Sequence, residues 1–237
     1  MKWPQKLIEA KLLKRYKRFF ADVEFAGRTE VAHVANTGSL KSAIQAGQAC
    51  LISPAQNPER KLKFSLEAVK TEAGHWVGVN TSWPNQLAKE AFNQKTLKHW
   101  QKFATLQSEV KINDESRLDL LLESEDGKKH YVEIKNVTLR NGDSAQFPDG
   151  VSERAQKHLK ELMKLIKNGK KQGTTAEILF TVQRDDCKYF SPADDIDPEY
   201  GKLLRQAEKA GVLISVRLIE ISLEEIKLTD KKLEVRL

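Results

Sequence analysis

The sequence RLDLLLESEDGKKHYVEIKNV, residues 117–137, decides the fold of the second half of this chain. Two apolar segments flank a polar turn in which Asp126-Gly127 is a strong signal for a β-hairpin. Because side chains alternate between the two faces of a strand, Glu133 and Lys135 share one face of the second strand. Pairing across the hairpin can then bring Asp119 of the first strand beside Glu133.

These three side chains favour metal-dependent chemistry on a phosphate ester. Adjacent carboxylates repel each other unless a cation or a proton lies between them. Hard oxygen ligands with open positions suit Mg²⁺ or Mn²⁺, which keep several waters and take up phosphate oxygens. We therefore predict that Asp119 and Glu133 hold the metal, that Lys135 orients the attacking water or neutralises the transition state, and that Glu109 adds a third carboxylate. The alternative is a surface ion-pair ladder of little energetic value.

A Glu-x-Lys pattern alone is weak evidence in this lysine-rich chain. The same pattern recurs at Glu9–Lys11, Glu59–Lys61, Glu109–Lys111 and Glu225–Lys227. The copy at 133–135 differs because it lies in an apolar strand that follows, at hairpin distance, a strand carrying an aspartate. Its context, rather than its composition, singles it out.

Composition sets limits on the class of protein. The 237 residues carry a formal net charge of +7, with 40% hydrophobic and 31% charged residues, which is ordinary for a globular protein and favours a polyanionic partner. No apolar run approaches the ~18 residues that span a bilayer, and the N-terminus lacks the apolar region of a secretion signal. Cys50 and Cys187 are too few and too distant for a disulfide framework. We therefore expect a cytoplasmic protein with no membrane partner.

Basic residues gather in two places. Lysines and arginines at positions 11–18 surround Tyr16, Phe19 and Phe20, and a second group runs from Lys157 to Lys171. Aromatic rings among cations suit single-stranded nucleic acid, whose bases stack on the rings while its phosphates pair with the charges. The alternative for the first group is a solvated face above core aromatic residues.

Residues 1–84 predict a small β-barrel. Ala21, Val23 and Phe25 alternate with acidic residues, which indicates a half-buried strand, and Ala26-Gly27-Arg28 turns the chain into a hairpin. The predicted strands cover residues 21–25, 30–34, 47–53, 64–70 and 75–80. Five short and mostly antiparallel strands fit a barrel of the OB type, a common frame for binding oligonucleotides. A plain barrel without a ligand is the alternative.

Residues 85–237 predict a second domain of mixed α/β type. In chain order its predicted elements are a helix at 86–105, strands at 106–112, 117–123 and 129–137, a polar loop at 141–150, a helix at 151–168, a buried strand at 176–182, a helix from Asp197-Pro198 to Gly211 and a strand at 212–221. The last two strands are expected to be parallel, joined by a right-handed crossover. This order is that of the restriction-endonuclease-like, PD-(D/E)xK, fold, and it places the carboxylate hairpin at the second and third strands.

The helix predicted over 151–168 has a polar side next to this hairpin. Arg154, Lys157, His158 and Glu161 fall on that side at helical spacing. Arg154 and Lys157 could grip phosphates while Gln156 or His158 completes the site. The alternative is simply the solvated side of an amphipathic helix.

Eight segments of the chain resemble those of the sugar fermentation stimulation protein A family. They are Arg15-Tyr16-Lys17-Arg18-Phe19, Asn36-Thr37-Gly38, Val79-Asn80-Thr81, Ser108-Glu109-Val110-Lys111, Arg117-Leu118-Asp119, Tyr131-Val132-Glu133-Ile134-Lys135-Asn136-Val137-Thr138-Leu139, Phe147-Pro148-Asp149 and Glu153-Arg154-Ala155-Gln156-Lys157-His158-Leu159. They follow one another in order from about residue 8 to residue 220. The chain departs from the family at Ala35, where a proline is usual, and in Arg-Leu-Asp-Leu, which replaces Arg-Ile-Asp-Phe, and neither departure changes a charged site residue.

The resemblance implies an N-terminal OB-like domain, a C-terminal nuclease-like domain, DNA binding without marked sequence preference and a regulatory role in sugar (maltose) metabolism. It also implies that Asp119, Glu133 and Lys135 match the nuclease-type triad and that Glu109, Arg154 and Lys157 match its neighbourhood. The residues that we expect to contact nucleic acid, most of all DNA, are Arg15, Tyr16, Lys17, Arg18, Asn36, Thr37, Arg154, Lys157 and His158.

Three functions are open at this point. The first is a DNA-binding protein with a working Mg²⁺-dependent phosphodiesterase site, which the intact carboxylate pair and lysine favour. The second is a non-catalytic, sequence-nonspecific DNA-binding regulator of sugar metabolism built on an inherited nuclease frame. The third is a protein-interaction scaffold with an incidental basic surface, which predicts no salt-sensitive DNA binding.

Overall fold

The first 80 residues form a closed barrel in the computed structural model, which describes residues 1–237. The strands are β1 (Ile8–Tyr16), β2 (Phe20–Phe25), β3 (Arg28–His33), β4 (Ala49–Pro54), β5 (Phe64–Lys70) and β6 (Trp76–Gly78). Strand β1 pairs with β2, β2 with β3, β3 with β5, β5 with β4 and β4 with β1, which closes the circle. This connectivity confirms the predicted OB barrel, and β6 extends the sheet beyond β5.

Strand β1 was not among the five strands predicted from the sequence. Its residues, IEAKLLKRY, are mostly good helix formers. Ile8, Ala10 and Leu12 nevertheless alternate along it and pack into the barrel core, where Leu12 is fully buried. Both edges of β1 are hydrogen-bonded, one to β2 and the other to β4. Pairing on both sides therefore overrides the local helical preference.

The second domain has a six-stranded sheet between helices. Its helices are α1 (Trp83–Asn93), α2 (Glu153–Gly169) and α3 (Pro198–Lys209), with 3₁₀ turns at Lys98–Trp100 and Lys170–Gln172. Its strands are β7 (Thr105–Asn113), β8 (Ser116–Glu123), β9 (Lys129–Val137), β10 (Leu139–Asn141), β11 (Ser144–Phe147), β12 (Thr175–Val182), β13 (Tyr189–Pro192), β14 (Leu213–Ile221), β15 (Ile226–Lys232) and β16 (Glu234–Val235). The sheet order is β15-β14-β12-β9-β8-β7, with β9, β12 and β14 parallel. The predicted restriction-endonuclease-like arrangement is confirmed.

Several parts of this domain differ from the sequence prediction, and among them strands β13, β15 and β16 were not predicted. Helix α1 ends at Asn93 and not near residue 105, because Lys95 adopts a φ of +55° and the Thr96 N–H donates to Ala91 O (2.8 Å), which is a helix-ending turn. A lysine stands where glycine is usual in such a turn, so the sequence does not signal it. The stretch at 141–150, predicted as a loop, contains β11, which pairs with β10 and β13 in a small separate sheet.

Apolar side chains form one core inside the barrel and one on each face of the six-stranded sheet. Helix α1 covers one face through Leu87, while α2 and α3 cover the other through Leu159 and Leu204. Strand β12 contributes Leu179 to the first face and Phe180 to the second. No helix combines the length and the apolar character needed to cross a membrane.

Direct hydrogen bonds join the barrel to the second domain. The Gly78 N–H of β6 donates to Gln183 O (2.9 Å), and the buried Arg184 guanidinium donates to Ser42 O (3.3 Å). The Ser39 N–H donates to Asp149 Oδ2 (3.0 Å), across the junction beside α2. Backbone groups as well as side chains therefore fix the position of the barrel.

Replacing Gly38 with alanine is expected to loosen this junction. A Cβ atom at Gly38 would lie 2.1 Å from Asp149 Oδ2, so the carboxylate must move and release the Ser39 N–H. We expect a loss of about 1–3 kcal/mol in the free energy of unfolding, measured by urea titration, together with faster hydrogen exchange at the Ser39 amide. Gly150→Ala is the matched control, because nothing lies within 4 Å of its added Cβ. Equal losses in both variants would contradict the role of the contact.

Candidate active site

The acidic residues of the hairpin meet where β8 and β9 separate. The ladder between these strands runs from the pair Glu123–Lys129 to the pair Leu120–Val132. Just beyond it, the Asp119 carboxylate replaces a backbone partner, since its Oδ2 accepts a hydrogen bond from the Ile134 N–H (2.7 Å). Its Oδ1 accepts from the side-chain amide of Asn85 in α1 (2.8 Å). Asp119 is therefore held from both sides beside Glu133.

Glu133 is almost entirely buried and has two basic partners on one oxygen. Lys135 Nζ donates to Glu133 Oε1 (2.6 Å), and the ring Nδ1 of His158 in α2 contacts the same atom. Burial alone would raise the pKa of Glu133, but the hydrogen bonds and charges of His158 and Lys135 outweigh burial, so the pKa is lowered. No hydrogen bond within the chain reaches Oε2. One oxygen of an ionised carboxylate is thus available to a ligand.

The pKa of Asp119 shifts in the opposite direction to that of Glu133. Burial and the negative charge of Glu133 raise its pKa, and the hydrogen bonds from Ile134 and Asn85 offset this only in part. A cation between the two carboxylates would remove the repulsion. Mg²⁺ and Mn²⁺ are commonly held by one or two carboxylates, with waters and phosphate oxygens at the other positions. The donor set therefore fits a divalent ion.

Glu109 lies on β7, next to the strand that carries Asp119. The structure contains no group of three acidic, histidine or cysteine side chains placed to hold a metal ion. Glu109 lies across from Asp119 in β7, but its backbone adopts a φ of +53° and its side chain is exposed on the outermost strand. Glu109 lines the same cleft as Asp119, and its role as a third ligand stays a prediction.

A cleft of about 790 Å³ opens onto the site. Asp119 and His158 form part of its wall; Glu133, which contacts His158 and Lys135, does not line it. Only one of its 13 lining residues is hydrophobic, so the cleft suits a charged and hydrated ligand. Arg154 is exposed at its rim, and Lys157 Nζ donates to Glu115 Oε2 (2.9 Å) within it.

Asp197 ties together the two helices that pack against Glu133. Its carboxylate caps α3 by accepting from the Tyr200 N–H (2.9 Å), and it also accepts from the Ser152 N–H at the start of α2 (3.0 Å) and from the Gln156 amide (2.9 Å). Burial opposes the charge of Asp197, yet these hydrogen bonds lower its pKa. Gln156 is thus used to position α2 and, with it, His158.

Tyr200 and Asn85 are site residues that the sequence did not indicate. The Tyr200 hydroxyl is fully buried without a hydrogen-bond partner, and burial, followed by the charges of Glu133 and Asp197, raises its pKa. The hydroxyl is therefore neutral, and no group of the chain accepts its proton. Asn85 lies 34 residues from Asp119, and Tyr200 comes from another helix, so no local pattern connects either residue to the hairpin.

Three residues expected to bind nucleic acid make hydrogen bonds within the chain. Arg15 donates hydrogen bonds of 2.9 Å to four carbonyl oxygens, among them those of Gly38 and Ser39. The Asn36 amide is buried and donates to Val79 O (2.9 Å). Both residues hold the loop at 36–39, and His158 is buried against Glu133. Carbonyl and carboxylate groups of the chain thus engage these three residues, and their contact with nucleic acid stays a prediction.

The other barrel residues of the predicted interface remain near the surface. Lys17 and Arg18 are exposed at the tip of the β1–β2 hairpin, both with positive φ, as in a type I′ turn. With the exposed Thr37 they border a cavity of about 940 Å³ between the barrel and the segment that precedes α2. Tyr16 also lines it, although its ring stacks on Phe20 (5.6 Å between centroids).

Comparison with known proteins gives a consistent assignment. The family model described as the sugar fermentation stimulation protein RE domain matches residues 82–225, and the one described as the SfsA N-terminal OB domain matches residues 13–79. A sugar fermentation stimulation protein homolog of Bdellovibrio bacteriovorus is 49% identical and one of Geotalea uraniireducens is 44% identical, each over 100% of both chains. Among solved structures, Pyrococcus furiosus SfsA in complex with Ca²⁺ has a TM-score of 0.86 at 29% identity, over 100% of both chains. The chain therefore belongs to the sugar fermentation stimulation protein family.

Proposed function

We propose that this chain is a DNA-binding protein whose second domain is a Mg²⁺- or Mn²⁺-dependent phosphodiesterase. The observation that carries the proposal is the pair of carboxylates, Asp119 and Glu133, held side by side with Lys135 beside an open polar cleft. The Pyrococcus furiosus relative was solved in complex with Ca²⁺, which supports the use of a divalent ion by this fold. Magnesium or manganese is proposed over calcium because hydrolysis of a phosphodiester favours a small ion of strong Lewis acidity.

The residues of the site divide the work between them. Asp119 and Glu133 would hold the ion, which lowers the pKa of a bound water and offsets charge on the phosphate. Lys135, fixed by its 2.6 Å bond to Glu133, places a positive charge beside the reacting phosphate. Arg154 and Lys157 stand at the rim of the cleft, where they can pair with neighbouring phosphates.

The barrel supplies the second contact with DNA in this proposal. Lys17, Arg18 and Thr37 border the cavity beside residues 149–152, and that segment leads directly into Glu153 and Arg154, which line the cleft. The net charge of +7 adds a general attraction for polyanions. We also propose a cytoplasmic location, which the two buried and unpaired cysteines, Cys50 and Cys187, support.

Incubation of the pure protein with single-stranded, duplex and branched DNA or RNA tests the proposal. With Mg²⁺ or Mn²⁺ we expect cleavage, and with a chelator none. Asp119→Asn is expected to lower the rate by about 100-fold or more, because it removes a charged ligand of the ion while keeping the shape of the side chain. Asp114→Asn is the matched control, since Asp114 lines the same cleft with a side chain that is 97% exposed.

The result also separates the competing functions. If the wild-type protein binds DNA but cleaves none of these substrates with either metal, the enzymatic function is wrong and the non-catalytic DNA-binding function is supported. A protein whose DNA binding is absent at low salt would contradict both DNA-directed functions. Anisotropy of a labelled duplex, measured with chelator present, reports binding separately from cleavage.

A further inference from the structure

The exposed face of α2 carries lysines whose charge is largely unneutralised. Lys160, Lys164, Lys167 and Lys171, here called the lysine ridge, recur at intervals of four, three and four residues, which places them on one side of α2 and the 3₁₀ turn that follows. All four are exposed. Only Lys164 has a carboxylate partner, Glu161, at 3.1 Å. Residues 153–171 contain seven basic and two acidic side chains, so the excess of positive charge is strong.

The neighbouring helix shows that exposure alone does not require this excess. Helix α3 packs beside α2 on the same face of the sheet. Its Lys202 lies 3.6 Å from Glu199, and its Arg205 pairs with Asp194 at 2.6 Å. Positive charge is therefore balanced on α3 and concentrated on α2.

The ridge continues from the rim of the active-site cleft. Arg154 and Lys157, which line the cleft, lie one to two turns before Lys160 on the same helix. The 17 residues of α2 extend about 25 Å at 1.5 Å per residue, which is the length of about seven base pairs at 3.4 Å each. The cleft and the ridge thus form one positively charged path.

The surface chemistry identifies the partner as a duplex. None of the exposed large hydrophobic residues lies on α2, so a protein partner finds no apolar anchor there. The helix also lacks Phe, Tyr and Trp, on which the bases of a single strand would stack. A straight row of cations instead matches the phosphate backbone of a stiff, double-stranded rod.

We propose that the lysine ridge binds the phosphate backbone of duplex DNA that flanks the bond held in the active-site cleft, on the side towards the C-terminus of α2. This inference rests on the proposed function, because it takes the reacting phosphate to lie in the cleft. The ridge adds affinity and sets the direction in which the duplex leaves the site.

Salt dependence of duplex binding tests the ridge. The full-length protein is titrated with a labelled duplex of about 30 base pairs at several KCl concentrations, with chelator present. The slope of log K against log[salt] is negative, and each lost phosphate contact makes it less steep by about 0.9. With all four ridge lysines changed to Gln, the slope is therefore expected to become less steep by about three to four. The ridge from Lys160 to Lys171 extends about 17 Å, so the hydroxyl-radical footprint is expected to shorten on one side by about five base pairs.

A control variant with the same change in net charge makes the test specific. Lys89, Lys95, Lys98 and Lys102 are exposed on α1 and the segment after it, on the opposite face of the sheet. Changing these four to Gln is expected to leave the slope and the footprint nearly unaltered. If the slope became equally shallow in both variants, or did not change in the ridge variant, the proposal that the ridge binds duplex DNA would be wrong. A wild type without salt-dependent binding would remove the proposed function as well, which distinguishes the two failures.

Discussion

Glu177→Leu is expected to lower the free energy of unfolding by about 3–5 kcal/mol, a large part of the stability of a typical domain. Glu177 lies in the central strand β12 with no exposed surface. Its carboxylate accepts hydrogen bonds from His130 Nε2 (2.9 Å), His99 Nε2 (3.0 Å) and Trp100 Nε1 (2.8 Å). A leucine fills the space but leaves three donors without an acceptor, and two of them, His130 and Trp100, are buried. Urea titration followed by tryptophan fluorescence measures the loss.

Two further variants show that the loss comes from the hydrogen bonds. Glu177→Gln keeps the shape and one acceptor oxygen, but turns an N–H group towards N–H donors, so we expect an intermediate loss of about 1–3 kcal/mol. Glu208→Leu, on the exposed side of α3, is expected to change stability by about 0.5 kcal/mol or less. If Glu177→Leu unfolded at the same urea concentration as the wild type, the cluster would have no stabilising role.

The difference in the free energy of unfolding between wild type and Glu177→Gln is expected to be lost progressively in acid. Burial alone would raise the pKa of Glu177, but the hydrogen bonds and charges of His130 and His99 outweigh burial and lower it. A lowered folded-state pKa means that the stabilisation is complete above the unfolded value of about 4.3 and is lost as the pH falls below that value towards the folded one. Paired urea titrations at about pH 7, 5, 4 and 3 should show a constant difference that then shrinks. A difference that grows in acid would contradict this sign.

The fold was largely predictable where its signals are local. Strands β8 and β9 were predicted to within a residue because Asp126-Gly127 fixes the turn between them and apolar residues fill both strands. Strand β1 was missed because its stability comes from β2 and β4, which follow it in sequence. The end of α1 was missed because Lys95, a residue that seldom adopts positive φ, does so there. Tertiary pairing and unusual backbone geometry leave little trace in composition.

The candidate site, like the fold, was predictable where its residues are close in sequence. Asp119, Glu133 and Lys135 belong to one hairpin, so strand alternation alone brings them to one place. The capping role of Asp197 towards α3 was visible in Asp197-Pro198, but its hydrogen bonds to α2 join residues more than 40 positions apart. Arg15 illustrates a different limit, because a guanidinium that suits phosphates also suits carbonyl oxygens, and sequence does not say which of them surround it.

Lys135→Ala is expected to lower kcat for metal-dependent cleavage by about 100- to 1,000-fold and to change DNA affinity little. The Lys135 side chain is only 12% exposed, and its ammonium lies 2.6 Å from Glu133 Oε1. It therefore contributes little to the exposed surface, whereas in the proposed reaction its charge lies where negative charge builds up. Single-turnover cleavage with saturating protein measures the chemical step, and anisotropy with chelator measures affinity.

Lys111→Ala provides the matched control for this prediction. Lys111 lines the same cleft, but its ammonium is exposed and pairs with Asp114 (2.7 Å), so its loss should weaken DNA binding slightly and leave kcat unchanged. Lys135→Arg tests position against charge, because the wider guanidinium cannot keep the single short bond to Glu133 in a nearly closed space. We therefore expect arginine to restore less than a tenth of the lost rate. Full activity in Lys135→Arg would mean that positive charge alone is sufficient, and full activity in Lys135→Ala would remove Lys135 from the chemistry.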